Sequence, residues 1–141
     1  IFATLTLVFS LFAMADQRQT FGEYEVHFNT FESTFLTPAI ANQYGFSRSK
    51  RLGLLNVAVL KTQPGNLPKP TPAIVTGTVT NLLGQIVKLQ FVTIDEGEAI
   101  YYIAPFSKTN DEILRFKVSA KLNANLAPME VNFQKHLYVD K

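Results

Sequence analysis

The sequence predicts an all-β fold, an immunoglobulin-like antiparallel sandwich of about seven strands with one short helix. Hydrophobic and polar residues alternate in short segments from Phe21 onward, which is the pattern of strands that have one face in a core. Glycine-containing turns separate several of these segments. Helix signals are confined to residues 37–45, so the rest of the chain is left to strands and turns.

Seven segments supply the predicted strands. Four of them alternate clearly, and their inward residues are Tyr24, Val26 and Phe28; Val87, Leu89 and Phe91; Leu114, Phe116, Val118 and Ala120; and Val131, Phe133, Leu137 and Val139. Residues 54–60, 73–81 and 99–104 complete the set, and the last of these is apolar on both faces, which predicts a central strand. Lys135 interrupts the final inward row, as is typical of the end of an edge strand.

The predicted connections include two hairpin loops and one proline-rich segment. Gly84 and Gly97 each lie where a hairpin loop needs a positive φ angle. Residues 63–72 contain four of the seven prolines, and because proline lacks an N–H donor they cannot enter a central strand. We expect an extended crossover between the sheets in this segment, and a polyproline ligand for a partner domain is the alternative.

The single predicted helix covers residues 38–44, about two turns in length. Thr37 can cap its start, Pro38 suits its first position and Gly45 can end it.

Residues 1–15 predict export. An apolar run without charge is followed by Ala13 and Ala15, the small residues that signal peptidase reads, and a polar stretch begins at Asp16. A buried helix or membrane anchor is the alternative, but about 20 apolar residues are needed to cross a bilayer. We therefore expect a signal peptide over residues 1–15, with its start missing, and a single sandwich domain over residues 16–141. The mature chain is expected to be periplasmic or secreted, with no transmembrane span.

Composition excludes several classes of function. The 13 basic and 11 acidic residues are dispersed and give a formal charge of only +2, so nucleic acid is not an expected partner. The chain has no cysteine, which excludes a disulfide framework, a thiolate metal site and a cysteine nucleophile.

No cofactor or metal site is predicted. His27, His136 and Met129 are the candidate copper ligands, but both histidines fall on the outward phase of strands and Met129 lies at opposite parity to His136. The simpler interpretation, without a metal site, is that both histidines are solvated side chains on strands.

No catalytic residue is predicted either, which favours a protein that is not an enzyme. There is no Gly-x-Ser-x-Gly motif. The carboxylates available for a glycosidase pair are Glu23, Glu25, Asp95, Glu96 and Glu98, and those in the turn at residues 95–98 are expected to be solvated. Without tryptophan, an aromatic platform for a glycan would have to come from Tyr101, Tyr102 and Tyr138.

Arg48, Lys50 and Arg51 form the one dense cluster of charge and are the candidate interaction surface. Three cations within four residues could attract an acidic partner or anionic lipid headgroups. Alternatively they form a solvated loop or pair with carboxylates such as Glu23, Glu25 and Glu32. We expect at least two of the three cations to be exposed.

Several short stretches together resemble one family of exported bacterial proteins. They are GEYEVHF at residues 22–28, STFL at 33–36, YG at 44–45, RSKR at 48–51, GLLNV at 53–57 and EGEAIYY at 96–102. In these stretches the chain is similar to domain-of-unknown-function family 4426, DUF4426. The resemblance covers nearly all of the mature chain. It implies a compact β-rich domain and residence in the periplasm or outside a Gram-negative cell, and it implies no catalytic residue.

These observations favour a non-enzymatic interaction protein of the cell envelope, with an envelope protein or an anionic surface as its partner. A small-ligand or glycan-binding module is the first alternative, and a hydrolase with a dispersed site is the second. A binding module or enzyme should show a pocket with converging polar groups, whereas an interaction protein should show an exposed apolar patch or an open sheet edge.

Overall fold

The computed structural model describes residues 17–139, and in this range the chain forms an antiparallel all-β sandwich with one α-helix. The strands are β1 (Gln17–Phe21), β2 (Tyr24–Glu32), β3 (Leu52–Gln63), β4 (Asn66–Pro70), β5 (Ile74–Thr80), β6 (Ile86–Lys88), β7 (Val92–Asp95), β8 (Ile100–Ser107), β9 (Glu112–Lys121) and β10 (Met129–Leu137). A 3-10 turn (Ser33–Phe35) and helix α1 (Pro38–Tyr44) lie between β2 and β3. The predicted fold class is confirmed.

Ten strands are present among residues 17–139, compared with about seven predicted. The additional ones are β1, β4 and β7, and each is short. The first is almost entirely polar and the second contains two prolines, so neither shows the alternation that identifies a strand from sequence, while the third alternates over only four residues, too few to be recognised.

Two sheets make up the sandwich. Sheet 1 has the order β1-β2-β3-β8-β7, and sheet 2 has the order β10-β9-β5-β6. Within sheet 1, one edge of β3 is shared by two partners, because residues 52–57 pair with β8 and residues 60–63 pair with β4. The proline-rich segment is therefore partly an edge strand, and the expectation that all of it forms a crossover was wrong for residues 66–70.

The main core lies between the sheets and is joined across them by aromatic rings. Phe28 of sheet 1 stacks on Phe133 of sheet 2 at 4.6 Å between ring centroids, and Phe133 stacks on Phe116 at 4.9 Å. Phe106 of sheet 1 meets Phe116 edge to face at 5.0 Å. Such pairs add specific geometry to the burial of large apolar area. The predicted inward residues of β9, from Leu114 to Ala120, are all buried.

A second, smaller core covers the outer face of sheet 1. Leu36, Ile40, Ala41 and Phe46, which lie in or beside α1, pack against residues of β3, β7 and β8. The helix begins as predicted, with the Thr37 hydroxyl accepting a hydrogen bond from the Ile40 N–H at 3.2 Å, and it ends at Gly45, whose φ is 77°. Because both faces of sheet 1 are covered here, β3 and β8 are apolar on both sides.

Sheet 2 differs, since no helix among residues 17–139 covers its outer face. Its edges are β6 and β10, so the edge position expected from Lys135 is confirmed. Strand β6 is shorter than predicted, because only residues 86–88 pair with β5. Leu89 is buried as expected, but Val87 is 61% exposed, which contradicts its predicted place in the core.

Gly84 and Gly97 adopt the predicted positive φ angles, 83° and 80°. Among residues 17–139, no helix is long and apolar enough to cross a membrane. The predicted signal peptide at residues 1–15 lies outside the described residues.

Candidate functional site

The predicted basic cluster is exposed, and part of it has a structural role. All three of Arg48, Lys50 and Arg51 are exposed, as expected. The Arg48 guanidinium donates from Nε to the Leu36 carbonyl at 2.7 Å and from its second terminal nitrogen to the Thr34 carbonyl at 3.1 Å. These bonds fasten the loop to the 3-10 turn, so Arg48 stabilises the loop that carries the other two cations.

The carboxylates suggested as partners of this cluster pair elsewhere. Glu23 lies 3.8 Å from the Lys61 ammonium, Glu25 lies 3.0 Å from the His27 ring, and Glu32 binds Lys108 at 2.8 Å. Within residues 17–139 no ion pair involves the three cluster cations. The charge of the cluster is therefore not neutralised by these carboxylates.

A second basic surface, which the sequence did not reveal, lies on the outer face of sheet 2. Thr78 of β5 pairs with Lys88 of β6 on one side and with Lys117 of β9 on the other. Two residues along, Thr80 pairs with Ile86 and with Arg115. Paired residues share a face of the sheet, so three cations from two flanking strands line a central row of threonines. We call Lys88, Arg115 and Lys117 the basic sheet face.

The basic sheet face is open, and one carboxylate, Glu130 of β10, shares this face, where it pairs with Ser119. All three cations are exposed, and no ion pair among the residues between 17 and 139 involves them. A shallow concavity of about 730 Å³ on this face is bordered by Thr78, Thr80, Arg115 and Lys117. The electrostatic field of such an uncovered face attracts anions, and added salt screens this attraction.

The loop between β5 and β6 carries exposed leucines beside this face. Leu82 is 66% exposed, Leu83 is 86% exposed and Ile86 is 68% exposed. We call these three residues the apolar hairpin. Its loop is held in shape by the Asn81 side chain, whose Oδ1 accepts hydrogen bonds from the N–H groups of Leu83 and Gln85, each at 3.0 Å. Ile86 belongs to the same outward row as Arg115, so the apolar hairpin and the basic sheet face adjoin.

A buried ion pair closes one end of the sandwich. The Lys108 side chain is 1% exposed, and its ammonium donates to Glu32 Oε1 at 2.8 Å and to the Tyr138 carbonyl. The other carboxylate oxygen, Glu32 Oε2, is buried and has no hydrogen-bond partner among residues 17–139. A charged group this buried must be paired, and the pair forms because Glu32 ends β2 and Lys108 directly follows β8, both on the inward side.

Two clefts flank this ion pair. One, of about 370 Å³, lies toward β5 and β6, and the other, of about 320 Å³, lies toward the ends of β2 and β10. Phe106 and Lys108 line both clefts. Sequence reasoning missed Lys108 because residues 107–112 are polar and look like a loop. Extending the inward row of β8 from Tyr102, Ala104 and Phe106 by one more step would have identified it.

The candidate metal ligands lie apart. His27 is on the outer face of sheet 1, and its side chain is 16% exposed beside Glu25, so it is not the solvated residue that the sequence suggested. His136 is on the outer face of sheet 2, where its Nε2 lies 2.6 Å from Asp111 Oδ1. Met129 is buried in the core between the sheets. Among residues 17–139, no group of three or more His, Cys, Asp or Glu side chains could hold a metal ion.

The tyrosines and turn carboxylates are likewise dispersed. Tyr102 is buried and its hydroxyl accepts a hydrogen bond from the Ala73 N–H at 2.9 Å, whereas Tyr138 is 55% exposed. Tyr101 is half-buried. In the turn at 95–98, Asp95 accepts a hydrogen bond from the Gly97 N–H at 2.8 Å.

Glu96 of this turn accepts a hydrogen bond from the Tyr44 hydroxyl at 3.4 Å. Burial raises the pKa of Tyr44 above its ordinary value, and the neighbouring Glu96 carboxylate raises it further.

The fold and these surfaces define an all-β sandwich with one sheet covered by a helix and the other presenting a basic, uncovered face. A family model, described as a domain of unknown function (DUF4426), matches residues 18–140. The chain belongs to this family, which confirms the resemblance found in the sequence.

Solved structures agree with this assignment. A DUF4426 family protein, PA0388 of Pseudomonas aeruginosa PAO1, is 33% identical with a TM-score of 0.78, and the match covers 91% of this chain and 98% of that one. FetP of uropathogenic E. coli strain F11, recombinantly expressed in the periplasm of E. coli, is 13% identical with a TM-score of 0.64, covering 90% and 96% of the two chains. At that identity the likeness concerns the fold alone. No curated protein matches the chain.

Proposed function

We propose that this chain is an exported, non-enzymatic protein of the cell envelope that binds an anionic membrane surface through the outer face of sheet 2. The observation that carries this proposal is the juxtaposition of the apolar hairpin with the basic sheet face. Exposed leucines at a loop tip suit the boundary between headgroups and acyl chains, and cations beside them suit anionic headgroups.

The choice of a membrane over an acidic protein rests on the shape of the apolar part. Leu82 and Leu83 project from a hairpin with 66% and 86% of their surfaces exposed, so they do not line a groove that a peptide could fill. A bilayer interface can accept such a projecting tip without a complementary pocket. Both features then act on the same partner.

Periplasmic or secreted residence is part of the proposal. It is supported by the apolar run and the small residues at the end of residues 1–15. The structural neighbour FetP was produced in the periplasm, which is compatible with this location. The anionic surface would then be a leaflet that faces the periplasm or the exterior.

The loop cluster of Arg48, Lys50 and Arg51 is a second candidate surface for the same kind of partner. Its support is the exposure of all three cations and the absence of carboxylate partners for them within residues 17–139. The loop at residues 47–51 contains no leucine, and beside it Phe35, between the two residues whose carbonyls Arg48 binds, is a single exposed apolar side chain. We therefore expect it to contribute less than the basic sheet face.

Vesicle binding tests the proposal with matched variants. The triple variant Lys88→Gln, Arg115→Gln and Lys117→Gln should bind phosphatidylglycerol-containing vesicles about 100-fold more weakly at low salt, since each cation near such a surface contributes about 1 kcal/mol. The double variant Leu82→Ser and Leu83→Ser should lose binding even at low salt. The control is the triple variant Arg48→Gln, Lys50→Gln and Arg51→Gln, which removes the same charge from the loop.

Cosedimentation with vesicles of phosphatidylcholine, with and without phosphatidylglycerol, measures these affinities, and thermal melting checks that each variant is folded. The proposal is wrong if the wild-type chain binds vesicles equally well with and without phosphatidylglycerol. Equal losses in both triple variants would mean that net charge, and not the basic sheet face, drives binding. If the chain captured an acidic envelope protein but did not bind vesicles, its partner would be that protein and not a membrane.

A further inference from the structure

The 320 Å³ cleft beside the buried ion pair has the features of a small-ligand site that the proposed membrane contact does not use. It opens between the end of β2 and the end of β10, and Phe106 and Lys108 form part of its wall. Its volume lies at the lower end of the range of about 300–1,000 Å³ for small-molecule sites. We call it the aromatic cleft, after Phe35, Phe106 and Tyr138, which line it.

Exposed aromatic side chains are concentrated at this cleft. Among residues 17–139, the large aromatic side chains that are mostly exposed are Phe35 and Tyr138, at 57% and 55%. Both line the aromatic cleft. The Tyr138 ring is held by stacking on the His136 ring at 4.6 Å, so its orientation does not depend on a ligand. Two exposed rings at one cleft offer apolar faces to a ligand with a flat, weakly polar side.

The buried ion pair supplies unused hydrogen-bonding capacity of both signs. An ammonium group has three N–H donors, and Lys108 donates two of them, to Glu32 and to the Tyr138 carbonyl. On the carboxylate, Oε2 of Glu32 is buried without a partner among the described residues. One donor and one acceptor are thus unmatched in the wall of the cleft, and leaving buried polar groups unmatched is costly.

The chemistry of this wall selects the class of ligand. The Glu32–Lys108 pair is neutral overall, so it opposes an anion through its carboxylate and a cation through its ammonium, and Lys135 adds one exposed positive charge to the lining of the cleft. A hydroxyl group both donates and accepts, so adjacent hydroxyls can meet the unmatched groups together. Lys135, which is exposed and also lines the cleft, adds donors for further hydroxyls, whereas both ring nitrogens of His136 are already bonded to Asp111 and Tyr138.

We propose that the aromatic cleft binds a neutral, polyhydroxylated ligand of about the size of one sugar ring, such as the terminal residue of a glycan. The hydroxyls contact the partly exposed Glu32 and the exposed Lys135, with the Lys108 ammonium buried behind them, and the ring faces Phe35 and Tyr138. This site is separate from the basic sheet face, so the two can be tested independently.

Saturation-transfer NMR and an array of bacterial and host glycans test the proposal. The soluble probes are D-glucose, D-mannose and N-acetyl-D-glucosamine, and cyclohexanol serves as an apolar ring of similar size. At least one sugar should bind saturably, and Phe35→Ala and Tyr138→Ala should each weaken it about ten-fold, since one stacked ring is lost. Leu67→Ala is the control, because Leu67 is 87% exposed on β4 but does not line the cleft.

Glu32→Gln tests the polar half of the site in the same assay, and the aromatic variants decide the outcome if this variant does not fold. The proposal is overturned if no sugar or array glycan binds, or if the two aromatic variants bind as tightly as the wild type. It is also overturned if Leu67→Ala weakens binding equally, or if cyclohexanol binds more tightly than every sugar.

Discussion

Lys108 shows how one residue can be fixed by the architecture around it. Its side chain is almost fully buried at the end of the sandwich. Among the described residues, its ammonium donates to a carboxylate and to a main-chain carbonyl. A buried lysine without such partners would destabilise the fold. The Tyr138 carbonyl also ties the residues after β10 to the end of sheet 1. Lys108 therefore joins three segments that are distant in sequence.

A double-mutant cycle measures what this ion pair contributes. Lys108→Met should lower the free energy of unfolding by about 2–3 kcal/mol, because it leaves the largely buried Glu32 carboxylate without its cation. The loss should fall short of that for a fully buried pair, since the Glu32 side chain is 29% exposed. Adding Glu32→Gln should recover part of the loss. Urea unfolding monitored by circular dichroism gives these values, and a double variant less stable than both single variants would contradict this account.

At the scale of elements, Gly53 explains how β3 and β8 pack at the end of the sandwich. A Cβ atom at Gly53 would lie 2.3 Å from Cζ of the Phe106 ring, which is far inside contact distance. The ring therefore occupies the space that any other residue at this position would fill. Phe106 in turn contacts Phe116 of sheet 2 and lines both clefts.

Gly53→Ala is accordingly expected to destabilise the protein by about 1–3 kcal/mol through overpacking. The smaller side chain in the double variant Gly53→Ala and Phe106→Leu should relieve the clash, so the two substitutions together should cost less than their sum. Thermal and urea unfolding of the three variants provide the comparison. If the stability losses of the two single variants added strictly in the double variant, the Phe106 ring and a side chain at Gly53 would not compete for the same space.

The sequence predicted those elements whose side chains alternate over many residues. Strands β2, β9 and β10 and helix α1 were found because burial and capping leave local patterns that a reader can recognise. Strands β1 and β4 were missed because short strands at sheet edges are defined by pairing with a neighbour and need no apolar face, and β7 was missed because its apolar face has only Val92 and Ile94. The same limit applies to shape, since the clefts depend on packing between sheets.

The basic sheet face could not be predicted for a related reason. Lys88 and Lys117 lie on either side of Thr78, and this register depends on β9, which pairs with β5 although β6, β7 and β8 lie between them in the chain. In the sequence these cations look dispersed, whereas Arg48, Lys50 and Arg51 look dense. A local cluster of charge can therefore be recognised in the sequence, whereas the basic sheet face is assembled by strand pairing and cannot.

For the whole molecule, a modest formal charge conceals an uneven distribution. The chain carries only +2, yet the uncovered face of sheet 2 presents three cations without ion-pair partners among the described residues, while several acidic residues are paired on or near sheet 1. A net charge describes solubility but says little about where a partner can bind.

Processing is predicted at the same scale. A precursor that carries residues 1–15 as the end of its signal peptide should be exported and cleaved before Asp16, because Ala13 and Ala15 are the small residues the peptidase requires. Intact mass measurement of the exported protein checks the new N-terminus, and Ala15→Phe should leave the precursor uncleaved. Exported protein that retains residues 1–15 would refute the signal-peptide assignment.

The shared edge of β3 also sets the order in which the molecule can fold. Strand β4 follows β3 after a turn of two residues, whereas β8 reaches the same edge only after β5, β6 and β7 have been placed. Closing the longer connection costs more chain entropy before any contact compensates for it. We therefore expect β1 to β4 to assemble early, with the pairing of β8 with β3 as the slow step that completes sheet 1.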